Sequence, residues 1–218
     1  MQMIKQGAEA ILYLDEFEGQ QVLVKERIKK TYRISQIDDK LRKLRTREEV
    51  KLLTEARKVG VMTPKILHVD YENYKIAMEF ITGKRLKEFF AEADKKTVKK
   101  VCFEVGQLVG KLHSAGIIHG DLTTSNLILR NEDIYFIDFG LGQFSRRIED
   151  QGIDINLLFE ALRSTHFKIL KYCWQSIVKG YKQEYKNAEQ VLKKVEEIET
   201  RSRYVERKAK RQGQIRDS

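Results

Sequence analysis

The sequence predicts a two-lobed α+β fold, with a strand-rich lobe over residues 1–80 and a helical lobe over residues 81–200. Three observations predict it. Short β-type apolar runs broken by turn residues fill the first third of the chain. Apolar residues at helical spacing dominate beyond Gly83, and a second hairpin pattern interrupts the helices near residue 130. The remaining residues, 201–218, form a basic tail without apolar periodicity.

The first lobe begins with a hairpin pattern, because AILYL and QVLVK flank the turn-prone DEFEG. The apolar period then becomes helical from Asp38 to Val59, and Gly60 is a natural stop. KILHVD after Pro64 and YKIAMEFITG, which ends at Thr82 and Gly83, are two further strands. The apolar positions expected on one face of the helix are Leu41, Leu44, Leu52, Ala56 and Val59.

The second lobe is predicted to be helical in KRLKEFFAEA and in TVKKVCFEVGQLVGKLHSAG. LILR and IYFID then read as two short strands around the turn Asn131-Glu132-Asp133. Everything from Asn156 to about Lys194 again has helical character. The apolar positions that carry the longer helical pattern are Val101, Val105, Leu108 and Leu112.

Charge indicates a polyanionic partner, since the formal net charge is +10. From Arg201 to Arg216 the tail contains seven basic residues against Glu206 alone, and KERIKKTYRIS is a second basic stretch. A solvated, disordered end is the alternative interpretation. The basic residues expected to contact nucleic acid are Arg201, Arg203, Arg207, Lys208, Lys210, Arg211 and Arg216.

Membrane and disulfide-rich classes are disfavoured by composition. No stretch approaches the roughly 18 apolar residues of a membrane span, and Cys102 and Cys173 lie far apart without metal-ligand spacing. We therefore expect no membrane association and a reducing, cytoplasmic location.

The stretches IHGDLTTSN and IDFGLG carry the clearest chemical pattern. If LILR and IYFID pair, Asn126 before the first strand lies beside Asp138 after the second. Such oxygen ligands suit Mg²⁺, which takes the rest of its coordination from water and phosphate. Asp121 lies on the same loop, at a spacing suited to a base or orienting carboxylate. Taken singly, each of these residues could instead be a cap or turn residue.

The first lobe offers what a nucleotide needs. Lys25 ends the strand QVLVK, where its ammonium can reach phosphate, and a carboxylate on the long helix can hold it there. Glu49 is the preferred partner, although helical geometry leaves Glu48 nearly as good. Backbone groups from Glu79 to Ile81 are candidates to bind the edge of an adenine ring. A solvated lysine and an ordinary strand are the alternatives.

These motifs together resemble the protein-kinase superfamily in its small, atypical RIO-like branch. KERIKKTYR, HGDLTTSNLIL, IDFGLG, EDQGIDINLLFEALRSTH and the basic end resemble the kinase/ATPase subunits of the KEOPS complex over nearly the whole chain. The resemblance implies a bilobal protein-kinase-like fold with a minimal helical second lobe. It also implies ATP and Mg²⁺ as cofactors, with Lys25 on the phosphates, Glu49 as its partner, Asp121 as catalytic base or orienting acid, Asn126 and Asp138 as metal ligands, and Asp154 as the carboxylate anchoring the catalytic loop. Nucleotide contacts are expected from Gly7, Lys25, Glu79, Phe80, Ile81, Asn126 and Asp138.

The sequence departs from the kinase pattern in ways that change the expected activity. KQGAEA keeps only Gly7 of GxGxxG, HGD replaces HRD, and only about fifteen residues separate Asp138 from Asp154, without an APE motif. A peptide-docking platform is therefore not expected. The resemblance implies an ATPase, with autophosphorylation, that serves threonylcarbamoyl-adenosine modification of tRNA beside other KEOPS subunits, including the threonylcarbamoyl-transferase subunit.

Three other functions compete with this hypothesis. The chain could be an autonomous serine/threonine kinase, or a phosphotransferase of the aminoglycoside type, which shares HGD-x4-N. The short second lobe leaves little room for the substrate of such a phosphotransferase. A tRNA-binding scaffold that keeps only the fold is the non-enzymatic alternative. The joint presence of Lys25, Asp121, Asn126 and Asp138 argues against it.

Overall fold

The structure is a computed structural model that describes the backbone of residues 2–214 and the side chains of residues 2–201. It confirms the α+β prediction. In chain order the elements are β1 (Gln2–Gln6), β2 (Ala10–Phe17), β3 (Gln20–Arg27), α1 (Ser35–Lys58), β4 (Ile66–Asp70), β5 (Lys75–Glu79), β6 (Lys84–Arg85), α2 (Leu86–Glu92), α3 (Lys95–Ser114), β7 (Ile117–Ile118), β8 (Leu127–Arg130), β9 (Asp133–Phe136), β10 (Gln143–Phe144), α4 (Ile148–Thr165), α5 (Leu170–Glu184) and α6 (Ala188–Gln214).

The chain divides into two compact units. The first combines Met1–Asp94 with His119–Phe144, and the second combines Lys95–Ile118 with the chain from Ser145 onward. The first unit therefore contains both the strand-rich start and the two loops that carry the chemical motifs. The divisions predicted near residues 80 and 200 remain predictions about domain organisation.

The first unit contains a five-stranded antiparallel sheet in the order β1-β2-β3-β5-β4. The β2–β3 hairpin is confirmed, and its two-residue turn places Glu18 and Gly19 at φ of 51° and 75°, as a type I′ turn requires. This register puts Lys25 opposite Leu12. Strand β1 escaped prediction because its five residues are all exposed, so it has no alternating apolar pattern.

Helix α1 begins at Ser35 and ends at Lys58, so the predicted start at Asp38 is corrected by three residues. Leu44, expected on the buried face, is 51% exposed. The buried face instead includes polar side chains, and an apolar period cannot locate such a face. The buried residues are Asp38, Thr46, Glu49, Leu52, Leu53 and Ala56.

The predicted second hairpin is also confirmed. Strands β8 and β9 pair from Leu127 opposite Phe136 to Arg130 opposite Asp133, and Asn131 takes a positive φ of 58° in the turn. Beyond the strands, the N–H of Ile137 donates to the carbonyl of Asn126 at 3.0 Å. The chain therefore enters and leaves the hairpin at neighbouring points.

Two boundaries near this hairpin differ from prediction. The strand expected to reach Gly83 ends at Glu79, and Lys84–Arg85 pairs with β8 instead of starting a helix. The cause is tertiary, because a Cβ on Gly83 would lie 2.5 Å from the carbonyl oxygen of Leu129. Only glycine allows this approach of the two backbones, and helix α2 begins after the β6–β8 pairing, at Leu86.

The second unit is built from helices, with α3 packed along α5 and α4 against α6. Its core contains a polar network: His113 Nδ1 lies 2.8 Å from the Tyr181 hydroxyl, and His113 Nε2 lies 3.2 Å from Asp154 Oδ2. A proton on Nε2 lets the ring donate to Asp154 and accept from Tyr181. Burial and the neighbouring charges raise the pKa of Tyr181, so its hydroxyl remains a donor.

The carboxyl-terminal helix corrects one expectation. Helical character was predicted to about Lys194, and the sequence from Arg201 onward lacks apolar periodicity, but α6 continues as far as Gln214. The side chains after Arg201 and all of residues 215–218 lie outside the described part, so the side chains of Arg203, Arg207, Lys208, Lys210, Arg211 and Arg216 are known only by sequence. Over the described chain, none of the helices combines the length and the apolar character needed to cross a bilayer.

We expect Gly106→Ala to destabilise the second unit, because its Cβ would lie 2.1 Å from the carbonyl oxygen of Ile177 on α5. Overpacking should lower the free energy of unfolding by about 2–3 kcal/mol despite the better helix propensity of alanine. Urea denaturation of the full chain measures the loss. Gly152→Ala is the matched control, since the atoms nearest to its Cβ belong to the flexible side chains of Lys194 and Ile198. Equal stability of the two variants would contradict the assigned helix contact.

Candidate nucleotide and metal site

A row of alternating charges crosses the first unit. Lys25 Nζ lies 2.6 Å from Glu49 Oε1 and 2.7 Å from Asp138 Oδ1, and Arg27 Nη2 lies 2.5 Å from Glu49 Oε2. The order of charges is therefore Arg27, Glu49, Lys25, Asp138. Strand β3 supplies the two cations, α1 supplies Glu49, and the chain after β9 supplies Asp138. Glu48, the alternative partner for Lys25, is only half-buried.

Desolvation would favour the neutral forms of Lys25 and Asp138, but their charged partners reverse this effect. Desolvation lowers the pKa of Lys25, while the carboxylates of Glu49 and Asp138 outweigh it and raise that pKa above its ordinary value. Desolvation likewise raises the pKa of Asp138, while Lys25 outweighs it and lowers the pKa. Both groups are therefore charged near neutral pH.

The loop of Asp121 is organised by the two residues that flank the motif. Asn126 Nδ2 donates to Asp121 Oδ2 at 2.8 Å and to the Asp121 carbonyl at 2.9 Å. His119 Nδ1 accepts from the Asp121 N–H at 3.3 Å, and His119 Nε2 donates to the carbonyl of Ile137 at 3.1 Å. These contacts tie the loop to the segment after β9 and fix how Asp121 is presented.

The Asp-Phe-Gly segment is shaped by close contacts. Asp138 has a φ of 64°, a conformation that Asp adopts more readily than most residues. Phe139 is buried and its ring lies 4.4 Å from that of His119. A Cβ on Gly140 would lie 3.0 Å from Lys25 Nζ and 3.1 Å from Asp138 Oδ1. The glycine therefore leaves the space in which the two charged side chains meet.

Two adjoining cavities meet at Lys25 and Asp138. One, of about 390 Å³, is lined on its polar side by Lys25, Glu49, Asn126 and Asp138, and elsewhere largely by apolar side chains such as Leu12 and Met78. The other, of about 440 Å³, is lined by the segment from Gly7 to Ala10, by Arg27 and by Asp121. An apolar cavity that leads to converging charges suits a ligand with an apolar ring and an anionic end.

The loop between β1 and β2 is anchored to α1. Gly7 N–H donates to the carbonyl of Ala10 at 2.9 Å, which closes a tight turn. Glu9 forms an ion pair with Arg45 and lies 3.8 Å from Arg33. Desolvation raises the pKa of Glu9, but Arg45 outweighs it and lowers the pKa. A side-chain ion pair thus fixes the loop that has only one glycine.

The end of β5 and the two residues that follow it line the apolar cavity, at Glu79, Phe80 and Ile81. The N–H of Glu79 donates to the Lys65 carbonyl at 2.8 Å, and its carboxylate lies 2.9 Å from Arg130. The Glu79 amide is therefore already committed within the protein. Its carbonyl and the backbone of the next two residues remain the candidates for a base edge.

Gly120, in the HGD stretch, has a φ of 80°. A Cβ at this position would lie 2.1 Å from the carbonyl oxygen of Leu141. Both the conformation and the contact require glycine. The local backbone is therefore the physical reason why this chain has HGD.

Other predicted residues lie elsewhere. Asp154 is buried in the second unit beside His113, and its role in anchoring the catalytic loop remains a prediction. Arg201 is exposed, 4.0 Å from Glu197. Sequence reasoning missed Arg27, Glu9 and His119. Arg27 had one available signal, since it follows Lys25 by two positions and so shares its face of β3.

Comparisons with known proteins identify the family of the chain. A family model described as "RIO domain" matches residues 13–146. The chain is 50% identical over 216 residues to "KEOPS complex subunit Bud32" of Pyrococcus abyssi (strain GE5 / Orsay), covering 95% of this chain and 98% of that one. It is 46% identical to a "Probable bifunctional tRNA threonylcarbamoyladenosine biosynthesis protein" of Methanosarcina acetivorans, covering 91% of this chain but only 35% of that longer protein.

Solved structures agree on the fold. The "Rio2 kinase-ADP/Mg2+-phosphoaspartate complex" from Chaetomium thermophilum matches with a TM-score of 0.63 at 13% identity, over 94% of this chain and 72% of that one. "WaaP in complex with acyl carrier protein" matches with a TM-score of 0.64 at 14% identity, over 96% and 88%. The fold is thus the protein-kinase-like fold that the motifs predict. The chain belongs to the RIO domain family and, within it, to the family of KEOPS complex subunits.

Proposed function

We propose that the first unit binds ATP with Mg²⁺ and catalyses ATP hydrolysis or phosphoryl transfer in the service of threonylcarbamoyl-adenosine modification of tRNA. The observation that carries the proposal is the position of Lys25, bound to Glu49 and Asp138 where the two cavities meet. A lysine held between two carboxylates at the end of an apolar cavity suits the phosphates of a nucleotide. An ordinary structural ion pair would not need the adjoining cavities.

The apolar cavity fits the base and sugar. Side chains such as Leu12, Leu23 and Met78 can enclose a planar ring, while the segment from Glu79 to Ile81 offers backbone groups at its edge. In this arrangement the phosphates lie toward Lys25, whose ammonium supplies positive charge. Glu49 keeps that ammonium in position. The loop from Gly7 to Ala10 covers the second cavity.

Asn126 and Asp138 fit Mg²⁺. The nitrogen of the Asn126 carboxamide is committed to Asp121, which leaves its oxygen to act as a ligand. Among the described residues, no three His, Cys, Asp or Glu side chains group as a metal cage. Two protein oxygens are consistent with Mg²⁺, which keeps several waters and takes further oxygens from phosphate. Bound there, the ion would neutralise charge on the phosphates.

Asp121 is the proposed orienting acid or base. Its carboxylate lines the second cavity, and the hydrogen bonds of Asn126 and His119 hold its loop. From this position it can accept a hydrogen bond from a water or hydroxyl that approaches the terminal phosphate. Fixed geometry of this kind is the main contribution that a protein makes to phosphoryl transfer.

The partners are proposed from the relatives. One is described as a KEOPS complex subunit, and the bifunctional relatives are described as threonylcarbamoyladenosine biosynthesis proteins of which this chain matches about a third. We infer that this chain works beside other KEOPS subunits, including a threonylcarbamoyl-transferase subunit, in the cytoplasm. The basic residues from Arg201 onward are the proposed contact with tRNA.

An autonomous serine/threonine kinase remains the second candidate, because ATP hydrolysis and transfer to a protein hydroxyl use the same residues. Steady-state assays with purified partners and tRNA separate the two. Hydrolysis stimulated by tRNA supports the proposal, whereas efficient transfer to peptides without partners favours the kinase. Absence of any turnover with partners and tRNA present would favour a scaffold.

We expect Asp138→Ala to abolish Mg²⁺-ATP turnover, because it removes the anionic metal ligand. Asp121→Asn should bind nucleotide normally but lower turnover by about 10²-fold or more. ATPase and autophosphorylation rates measure the loss, and titration with Mg²⁺-ADP measures binding. Asp133→Asn is the control, an exposed carboxylate at the first residue of β9. Full activity of Asp121→Asn would show that its assigned role is wrong.

Glu49→Gln should reduce turnover much more than Glu48→Gln, because only Glu49 contacts Lys25 and Arg27. Loss of a charge-assisted pair should cost on the order of tenfold or more in kcat/KM. The two neighbouring variants are matched in chemistry and serve as mutual controls. The reverse ranking would transfer the role to Glu48.

Deleting residues 202–218 should leave the fold intact, because Ala188, Val191 and Val195, the buried residues among the described side chains of α6, precede the cut. If about four basic residues contact phosphate, the slope of log K for tRNA against log salt should become shallower by roughly three to four units. Binding titrations across a salt series measure the slope.

A variant with four exposed lysines of α3 changed to glutamine removes comparable charge elsewhere and should leave the slope unchanged. The four residues are Lys95, Lys96, Lys99 and Lys100. If truncation left the slope unaltered, the basic segment would not be the tRNA contact.

A further inference from the structure

We propose that Arg27 is a second phosphate-binding cation of this site, which contacts the terminal phosphate of ATP; the inference rests on the proposed nucleotide function. Arg27 lies two residues after Lys25 on β3, and residues two positions apart point to the same face of a strand. Both side chains reach Glu49, one at each carboxylate oxygen. Arg27 also lines the second cavity together with Asp121 and Asp138.

The guanidinium of Arg27 has unused hydrogen-bond donors. Nη2 contacts Glu49 at 2.5 Å and the Arg45 carbonyl at 3.5 Å. Its buried Nε has no partner among the described residues, and the contacts that the structure describes for Arg27 do not involve Nη1. A guanidinium carries five N–H donors, so most of them remain available. Since Arg27 is only 4% exposed, leaving them unpaired is costly unless a ligand binds.

The position of the guanidinium suits the phosphate end. An ideal Cβ on Gly140 would lie 3.0 Å from Lys25 Nζ and 3.5 Å from Arg27 Nη2, so both cations border the same small volume beside Asp138. Glu49 carries one negative charge but contacts two cations. Once Asp138 engages a metal ion, the pair Lys25 and Arg27 retains positive charge for an anionic ligand. Arginine is well suited to bind phosphate oxygens through its planar fork.

Arg27 also compensates for the shortage of glycine in the loop between β1 and β2, which lines the proposed phosphate cavity. A loop rich in glycine lets backbone N–H groups approach phosphate closely, but this chain has only Gly7 in that loop. The neighbouring Ala8, Glu9 and Ala10 line the same cavity as Arg27. Side-chain donors from β3 can therefore supply the hydrogen bonds that the loop backbone does not.

The test compares two nucleotides that differ in the terminal phosphate. Arg27→Met keeps the length of the side chain without its charge or donors. Calorimetric titration should show that it binds the Mg²⁺ complex of a non-hydrolysable ATP analogue about 10- to 100-fold more weakly than the unmodified protein. Binding of Mg²⁺-ADP should change by less than about threefold. Arg47→Met, which removes an exposed basic residue of α1 that lies over the ring of Tyr71, should change neither.

A second comparison separates contact with phosphate from positioning of Glu49. In a Glu49→Gln background, Arg27→Met should still weaken binding of the ATP analogue. If the loss disappears in that background, or if both nucleotides weaken equally, Arg27 acts only through Glu49 and the proposal is overturned. Unchanged binding of both nucleotides by Arg27→Met overturns it as well.

Arg27→Lys keeps the proposal testable if the methionine variant does not fold. It preserves a cation for Glu49 but lacks the fork of donors, so binding of the analogue should fall to an intermediate value. Unmodified affinity in this variant would overturn the role of the unused donors. Failure of the unmodified protein to bind either nucleotide would overturn the nucleotide function itself. Binding that depends on Lys25 but not on Arg27 would overturn this inference alone.

Discussion

The first unit depends on the ion pairs that the carboxylate of Glu49 forms with Lys25 and Arg27. This carboxylate lies between two buried cations from β3, one of which also contacts Asp138. Buried charges are tolerated only when every member is paired, because an unmatched one carries a large desolvation penalty. The register of β3, the rotation of α1 and the end of the β8–β9 hairpin are therefore constrained together. An error in any of them would leave a charge without a partner.

The fold was predictable from the sequence where local residues determine the structure, and less predictable where polar residues are buried. Both hairpins have alternating apolar residues and turn residues of suitable conformation, so their pairing was predictable from local chemistry. Helix α1 was predictable as a helix, and Leu52 and Ala56 are buried as predicted, but the burial of Asp38 and Thr46 was not predicted, because an apolar period assigns polar residues to solvent. The partners of Glu49, Lys25 and Arg27, lie 24 and 22 residues earlier in the chain, and a local apolar pattern contains no information about them.

The candidate site shows the same division. Lys25, Asp121, Asn126 and Asp138 stand in recognisable motifs, so they could be nominated from sequence alone. The contacts of Arg27 and Glu9 could not, because they depend on which side chains of α1 meet β3 and the first loop. The exposed strand β1 and the extension of α6 to Gln214 were also missed. Neither segment has a clear apolar period in its sequence, so a prediction from apolar periodicity does not find it.

The contact of Gly120 with Leu141 also limits how this molecule can be controlled. In the related kinase pattern an arginine at this position pairs with a phosphorylated activation loop. Here any side chain would collide with the Leu141 carbonyl, and the backbone would be held in a conformation that disfavours it. A single substitution cannot restore that arginine. An arginine could enter this position only if the two loops that now touch were to separate, so control through a phosphate-binding arginine here is incompatible with this backbone.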